Sequence, residues 1–297
     1  MCGIIYAKNL KDKTPVNSLI KLMYLNQKAR GMEGYGFVGL DKHNVATHRA
    51  LDEKGLLAQL EANVYDEILL HHRLPTSTKN TLPGTHPFVL SIDRRRLYFT
   101  HNGIIWNDDE LRTQHGKQGI TYQSIEKGTS KSNDSEALAW EFALYLTKRK
   151  TTIDAFGTAA FVCLETNKET NKATRLYFYR DESSELRFYR DKAMIILSSE
   201  GKWGATVTAD QLYYYDYQSR NFVNAGDFKI ASPFGQSRLE PYSFFPYRTY
   251  GYDTDTRDEI IHLTAERDHL IVTGNYQRAT ELDDEIWFLE HQGQDFD

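Results

Sequence analysis

Cysteine, proline and long apolar runs are scarce in this chain of 297 residues, which has 2 Cys and 7 Pro. So few thiols exclude a disulfide framework and fit a reducing compartment such as the cytosol. No apolar stretch is long enough to cross a bilayer, and the amino terminus lacks a signal-peptide pattern, so a membrane role is not expected. Positive charge is not in excess either. With 36 Lys and Arg against 41 Asp and Glu, the formal net charge is -5, which argues against a nucleic-acid binder that neutralises phosphates. The run Arg94-Arg95-Arg96 follows Asp93 and reads as a solvated turn between two strands. No Gly-x-x-x-x-Gly-Lys-Ser/Thr phosphate loop occurs. His71-His72 has no acidic or cysteine partners at ligand spacing, so neither a cofactor nor a metal is expected.

What is present is ordinary globular material, 40% hydrophobic and 26% charged. The length suits one large domain, or one domain with an appendage. Cys163 lies in the apolar run Ala159–Leu164 and reads as core, which leaves Cys2 as the reactive candidate. Initiator methionine is removed when its neighbour is small, and removal of Met1 leaves a thiol and a free α-amine on one residue. An α-amine with a pKa of roughly 7.7–8.0 is a base suited to neutral pH, so Cys2 is nucleophile and base together.

Cys2 to Ala7 reads as a buried strand. Thr14-Pro15 reads as a helix start, with Thr14 as cap and Pro15 at the first helical position. Val16, Leu19, Ile20, Met23 and Gln27 continue at helical spacing to about Arg30. Gly31, Gly34, Gly36 and Gly39 mark a loop leading into strand-like Phe37–Leu40. Further strands are expected at 67–70, at 88–92 paired with 96–100, and at 159–164, 176–179, 194–198 and 212–215. Helices are expected from Asn107-Asp108-Asp109 and over Ser135–Leu146, separated by a polar loop from about Gln114 to Ser132. Strands grouped with helices in this way suggest α+β layers. Residues 220–255 are aromatic and irregular, and two helices follow, over 256–272 and 275–290. The division expected is a main domain over 2–220 and a connector with a helical C-terminal extension over 221–297, packed on it.

An amide-attacking nucleophile needs an oxyanion hole. Asn102-Gly103 offers a side-chain amide and an approachable backbone N–H, although Asn-Gly is also a common hairpin turn. Arg73 at a strand end can clamp an α-carboxylate or form a surface ion pair. Asp134 can meet an α-ammonium or cap a helix.

In chain order, Cys2-Gly3-Ile4, Arg30-Gly31, His71-His72-Arg73-Leu74-Pro75-Thr76, His86-Pro87-Phe88, His101-Asn102-Gly103 and Asn133-Asp134-Ser135-Glu136 resemble the class II glutamine amidotransferases, which are amino-terminal-nucleophile hydrolases. Arg180-Asp181 and Ser199-Glu200 look like that family's strand-end signatures, and the resemblance covers roughly Cys2 to Tyr215. It implies a four-layer αββα sandwich of two antiparallel sheets. It implies catalysis by Cys2 with Asn102 and Gly103 holding the oxyanion, and substrate binding by Arg73, Thr76, Asp134, Arg30 and Gly31. L-Glutamine is the implied substrate, hydrolysed through a γ-glutamyl thioester. Ammonia is expected to pass to a separately encoded synthetase or transferase. Another γ-glutamyl amide as substrate, or an inactive partner-binding scaffold, are the alternatives. Two departures stand out: Met32-Glu33-Gly34-Tyr35 where relatives carry Asp-Ser or Gln-Ser, and Leu70 where a glycine often precedes the histidine.

Overall fold

The computed structural model describes residues 2–11, 15–41, 44–74, 79–129, 131–201 and 204–232, together with 278 and 282. The chain runs through β1 (Gly3–Asn9), α1 (Asn17–Gln27), β2 (Tyr35–Leu40), β3 (Val45–Ala50), α2 (Glu53–Ala62) and β4 (Glu67–His72). β5 (Phe88–Ile92), β6 (Arg95–Ile105), α3 (Asp108–Lys117) and α4 (Asp134–Leu146) follow. The last strands are β7 (Gly157–Asn167), β8 (Ala173–Arg180), β9 (Arg187–Arg190), β10 (Met194–Ser198), β11 (Ala205–Thr206), β12 (Gln211–Asp216) and β13 (Asn221–Asp227).

Seven strands form one sheet, in the order β11-β9-β10-β1-β4-β2-β3, and six form the other, β13-β12-β8-β7-β6-β5. Pairing within both sheets is antiparallel. The two sheets face each other through one apolar layer, in which Ile4, Tyr6, Leu69 and Leu197 meet Tyr98, Val162, Leu176 and Phe178. Strand alternation turns Ile5 and Ala7 to the opposite face of β1, against which α1 packs. α4 covers the outer face of the second sheet, with Phe142 among Phe99, Phe161 and Tyr177. Each such fully buried aromatic contributes about 1.5–3 kcal/mol. The result is the expected αββα sandwich.

Several boundaries differ from the sequence reading for physical reasons. α1 starts at Asn17 rather than Pro15, and its N-cap, Val16, makes no side-chain cap bond. Asn17 instead ties the helix to the end of α2, donating to Leu60 O and Asn63 O at 2.8 and 3.0 Å and accepting from Tyr65 N–H at 2.9 Å. The Thr14 cap expectation lies outside the described residues. Gly36 sits inside buried β2 rather than in a loop, and the strand expected over Phe37–Leu40 begins at Tyr35. α3 continues to Lys117 because His115 is a core residue, bonded to Tyr122 at 2.7 Å and to Glu141 at 2.8 Å. β3, α2, β9, β11 and β13 are additional to the reading.

The chain divides into two compact units, Met1–Gln236 and Ser237–Asp297. The boundary expected at 220 falls within the β12–β13 hairpin, and Phe228 and Ile230 beyond it belong to the core around α4. In the second unit residues 278 and 282 are helical. The expected aromatic connector beyond 232 and the helical C-terminal extension otherwise lie outside the described residues. Among the described residues no helix is long and apolar enough to cross a membrane.

Candidate active site

Cys2 immediately precedes β1, the central strand of the seven-stranded sheet, and β4 and β10 flank it on either side. Gly3 pairs with His72, so the end of β4 delivers Arg73 and Leu74 beside the cysteine. The Cys2 sulfur accepts from Leu74 N–H at 3.3 Å and lies 3.7 Å from Leu74 O, to which the thiol donates. Cys2 is half-buried, and loss of water around the sulfur pushes its thiol up, with the Leu74 N–H and the Arg73 charge pulling the other way. The resting sulfur is therefore a thiol, and its activation requires a base.

The facing sheet supplies the next groups. Asn102-Gly103 is not a turn: it lies inside β6, paired with Ala160 and Ala159 of β7. Asn102 Nδ2 donates to the Cys2 carbonyl at 3.0 Å, and Arg30 Nε donates to the same oxygen at 3.0 Å. One N–H of the Asn102 amide is thus spent on the backbone of Cys2. Gly103 has φ 142, and a Cβ there would stand 2.0 Å from the Thr158 carbonyl oxygen and 2.7 Å from His101 Nε2. Only glycine satisfies both the dihedral and the approach of the neighbouring strand.

The glutamyl-recognition candidates converge on the same end of the sandwich. Arg73 is buried, donates from Nη1 to Lys79 O at 3.1 Å, and is pushed down by burial while Cys2 and Asp134 pull it back up. It is therefore not a surface ion-pair residue. Asp134 is the first residue of α4, but the N-cap role belongs to Asn133, whose side chain accepts from Ser135 N–H at 2.9 Å. Asp134 Oδ2 instead accepts from Ile105 N–H at 2.9 Å, which fixes the carboxylate against the end of β6. Gly31 packs on the backbone after β4, where a Cβ would meet Arg73 C at 2.6 Å. The loop from Gly31 to Gly34 is pinned by Glu33 N–H to Arg73 O at 3.0 Å, Arg73 N–H to Gly34 O at 2.8 Å and His72 Nδ1 to Gly31 O at 2.9 Å. Thr76 lies outside the described residues.

Behind these groups sits a cluster of buried histidines. His71 Nε2 donates to His101 O at 3.1 Å, and His71 stacks on His86 at 3.9 Å between ring centroids. His101 Nε2 donates to Thr158 O at 3.1 Å, leaving Nδ1 for Ser135 at 2.9 Å. Burial pushes all three down, and His72 is pushed down to about 4, so these rings are neutral at neutral pH. Among the described residues no group of three or more His, Cys, Asp or Glu side chains is arranged to hold a metal ion.

No model of a known protein family matches the sequence. Individual proteins do. The chain is 30% identical over 149 residues to the amidophosphoribosyltransferase of Lacticaseibacillus casei, a match spanning 46% of this chain and 71% of that one. The chain belongs to the class II glutamine amidotransferases. A second relative, the glutamine–fructose-6-phosphate aminotransferase (isomerizing) of Caulobacter vibrioides, is 29% identical over 162 residues, covering 52% of this chain and 24% of that protein. Among solved structures, the allosteric regulatory enzyme of purine biosynthesis superposes with a TM-score of 0.57 at 18% identity, covering 77% of this chain and 50% of that one. The glutamine phosphoribosylpyrophosphate amidotransferase from B. subtilis gives 0.50 at 15% identity, covering 76% and 49%. This likeness is one of fold, and the chain spans about half the length of those two solved structures and about a quarter of the Caulobacter relative.

In this class II amidotransferase domain, sequence reasoning missed the polar brace behind the nucleophile. Ile4 N–H donates to Ser199 Oγ at 2.8 Å, and Ser199 Oγ donates to Gln27 Oε1 at 3.3 Å. Gln27 Nε2 reaches Ser198 Oγ at 3.2 Å. Gln27 is 4% exposed, and a buried glutamine among the apolar positions of α1 was the one available signal.

Proposed function

We propose that this chain hydrolyses the side-chain amide of glutamine, with Cys2 as nucleophile after Met1 is removed. The observation that carries the reading is the double hold on the Cys2 carbonyl by Arg30 and Asn102, which sets an amide donor against the backbone of Cys2. The α-amine takes the thiol proton, and the sulfur attacks the amide carbon. The tetrahedral oxyanion is held by the free N–H of Asn102 and the backbone N–H of Gly103, and losing one such donor costs about 3–4 kcal/mol in the barrier. The ammonium returns its proton to the leaving nitrogen, the C–N bond breaks, and ammonia departs from a γ-glutamyl thioester. Water, deprotonated by the same amine, attacks the thioester. The C–S bond breaks and glutamate is released with the thiol restored.

Arg73 takes the α-carboxylate, a group that Thr76 is also expected to bind, and Asp134 takes the α-ammonium. The loop from Gly31 to Gly34 covers the glutamyl end. Ammonia then passes to an acceptor enzyme, a reading supported by relatives whose names are those of an aminotransferase and an amidophosphoribosyltransferase. Arg73 and Asp134 recognise only the amino-acid end, so a hydrolase of another γ-glutamyl amide is the second reading.

The test is release of ammonia and glutamate from glutamine, with intact mass recorded with and without substrate. The expected result is loss of Met1, a glutamyl adduct on the protein, and no turnover by Cys2→Ala. Turnover that persists in Cys2→Ala overturns the assignment. Inert glutamine with cleavage of a γ-glutamyl conjugate selects the second reading.

A further inference from the structure

Glu200 lies just beyond β10, at the end of the sandwich that carries Cys2. Its main chain is fixed by Ser198, whose Oγ donates to Glu200 O at 2.5 Å and accepts from Glu200 N–H at 3.3 Å. Its side chain pairs with Arg30, with Oε2 3.5 Å from Nη1, beyond the range of a well-formed hydrogen bond. That oxygen is buried and accepts no hydrogen bond. A buried carboxylate oxygen without a donor is costly, and its place in the fold identifies which donor is missing.

Along an antiparallel strand, the N–H and C=O of every second residue point to the same edge. Ile4 faces β10 with both groups, through Ile4 N–H to Ser199 Oγ at 2.8 Å and Ser199 N–H to Ile4 O at 3.0 Å. Cys2, two residues earlier, faces that edge as well, and its carbonyl already meets Arg30, the ion-pair partner of Glu200. By the same alternation its nitrogen belongs to that edge.

We propose that Glu200 is the positioning residue for the α-amine of Cys2: the ammonium freed by loss of Met1 donates to Glu200 Oε2 while Arg30 holds the carbonyl of the same residue. This rests on the reading of Cys2 as a processed nucleophile. The other charged or titratable groups bearing on this end are Glu185, 3.7 Å from Arg30, Arg73 beside the sulfur, Asp134 of α4 and the neutral ring of His72. Among the described residues Glu200 stands just beyond β10 with a buried oxygen that no donor fills. Its charge favours the ammonium, raises the amine's pKa and makes it a stronger base.

Removing that charge in Glu200→Gln lowers the amine's pKa, so the acidic limb of kcat/KM for glutamine moves down by about 0.5–1 pH unit while the plateau falls. KM changes less than kcat, because the amine acts in the chemical step. Glu200→Asp keeps the charge and draws the oxygen back by one methylene, and a smaller shift in the same direction is expected. The amine is also read without turnover: with 2 cysteines in the chain, heavy-nitrogen labelling at cysteine gives one amine signal, from Cys2, whose titration is followed directly. An unchanged amine titration in folded Glu200→Gln overturns the proposal, as does a uniform loss of rate with no movement of the limb. If the wild type releases no ammonia, the glutaminase reading fails, and the titration still decides the role of Glu200.

Discussion

Gly103→Ala isolates the demand that the proposed oxyanion position makes on β6. The added Cβ stands 2.0 Å from Thr158 O, where such contacts are never shorter than 3.0 Å, so β6 and β7 must part by about 1.0 Å at this point. The residue must also hold φ 142, at a cost of about 1–3 kcal/mol for a non-glycine residue. The displaced group is the backbone N–H assigned to the oxyanion, and a misplacement of about 1 Å costs on the order of 100-fold in rate. Thus kcat for glutamine hydrolysis should fall about 100-fold, and the urea midpoint should drop by the equivalent of about 2 kcal/mol. Steady-state ammonia release and urea unfolding followed by circular dichroism read the two effects separately. A Gly103→Ala protein with wild-type kcat would refute the oxyanion placement. One that loses stability but not rate would show that the glycine serves only the strand.

Arg73→Lys replaces a planar fork with a point charge, and KM for glutamine should rise about 10- to 100-fold with kcat less affected. A proportional loss in kcat alone would place Arg73 elsewhere in the reaction. The buried ring of His72 titrates near 4 in the folded chain against an ordinary 6.5. The unfolded chain therefore takes up its proton first, and stability is full above pH 6.5 and lost as pH falls towards 4. The difference amounts to about 3 kcal/mol, so the slope of unfolding midpoint against pH should flatten in His72→Gln, and parallel curves would remove His72 from the account.

The candidate site was legible because its parts are short, ordered and chemically specific. The residues proposed to meet the oxyanion, the carboxylate and the ammonium all arrive at the end of the sandwich that carries Cys2, even though no local pattern brings Asn102 to within 3.0 Å of the Cys2 carbonyl. Roles weighed one residue at a time were less secure. Asp134 reads as a helix cap until Asn133 is seen to take that role and free Asp134 for Ile105 N–H. Asn102-Gly103 reads as a turn because the sequence does not reveal that β6 continues to Ile105. The missed elements share a cause. β3 is only partly buried and β13 partly exposed, so neither carries the alternation that marks a strand. The polar brace of Gln27, Ser198 and Ser199 joins residues about 170 positions apart and has no sequence period at all.

Chain ends usually fray, and their first residues exchange amide protons freely. Here the strand that follows Cys2 is held on both edges, so the Ile4 and Ile5 amides should exchange only when the whole sheet opens. The Cys2 sulfur therefore stands at the start of a strand that is held on both edges. On the proposed reading glutamine must be brought to it, past the loop from Gly31 to Gly34, which three hydrogen bonds hold.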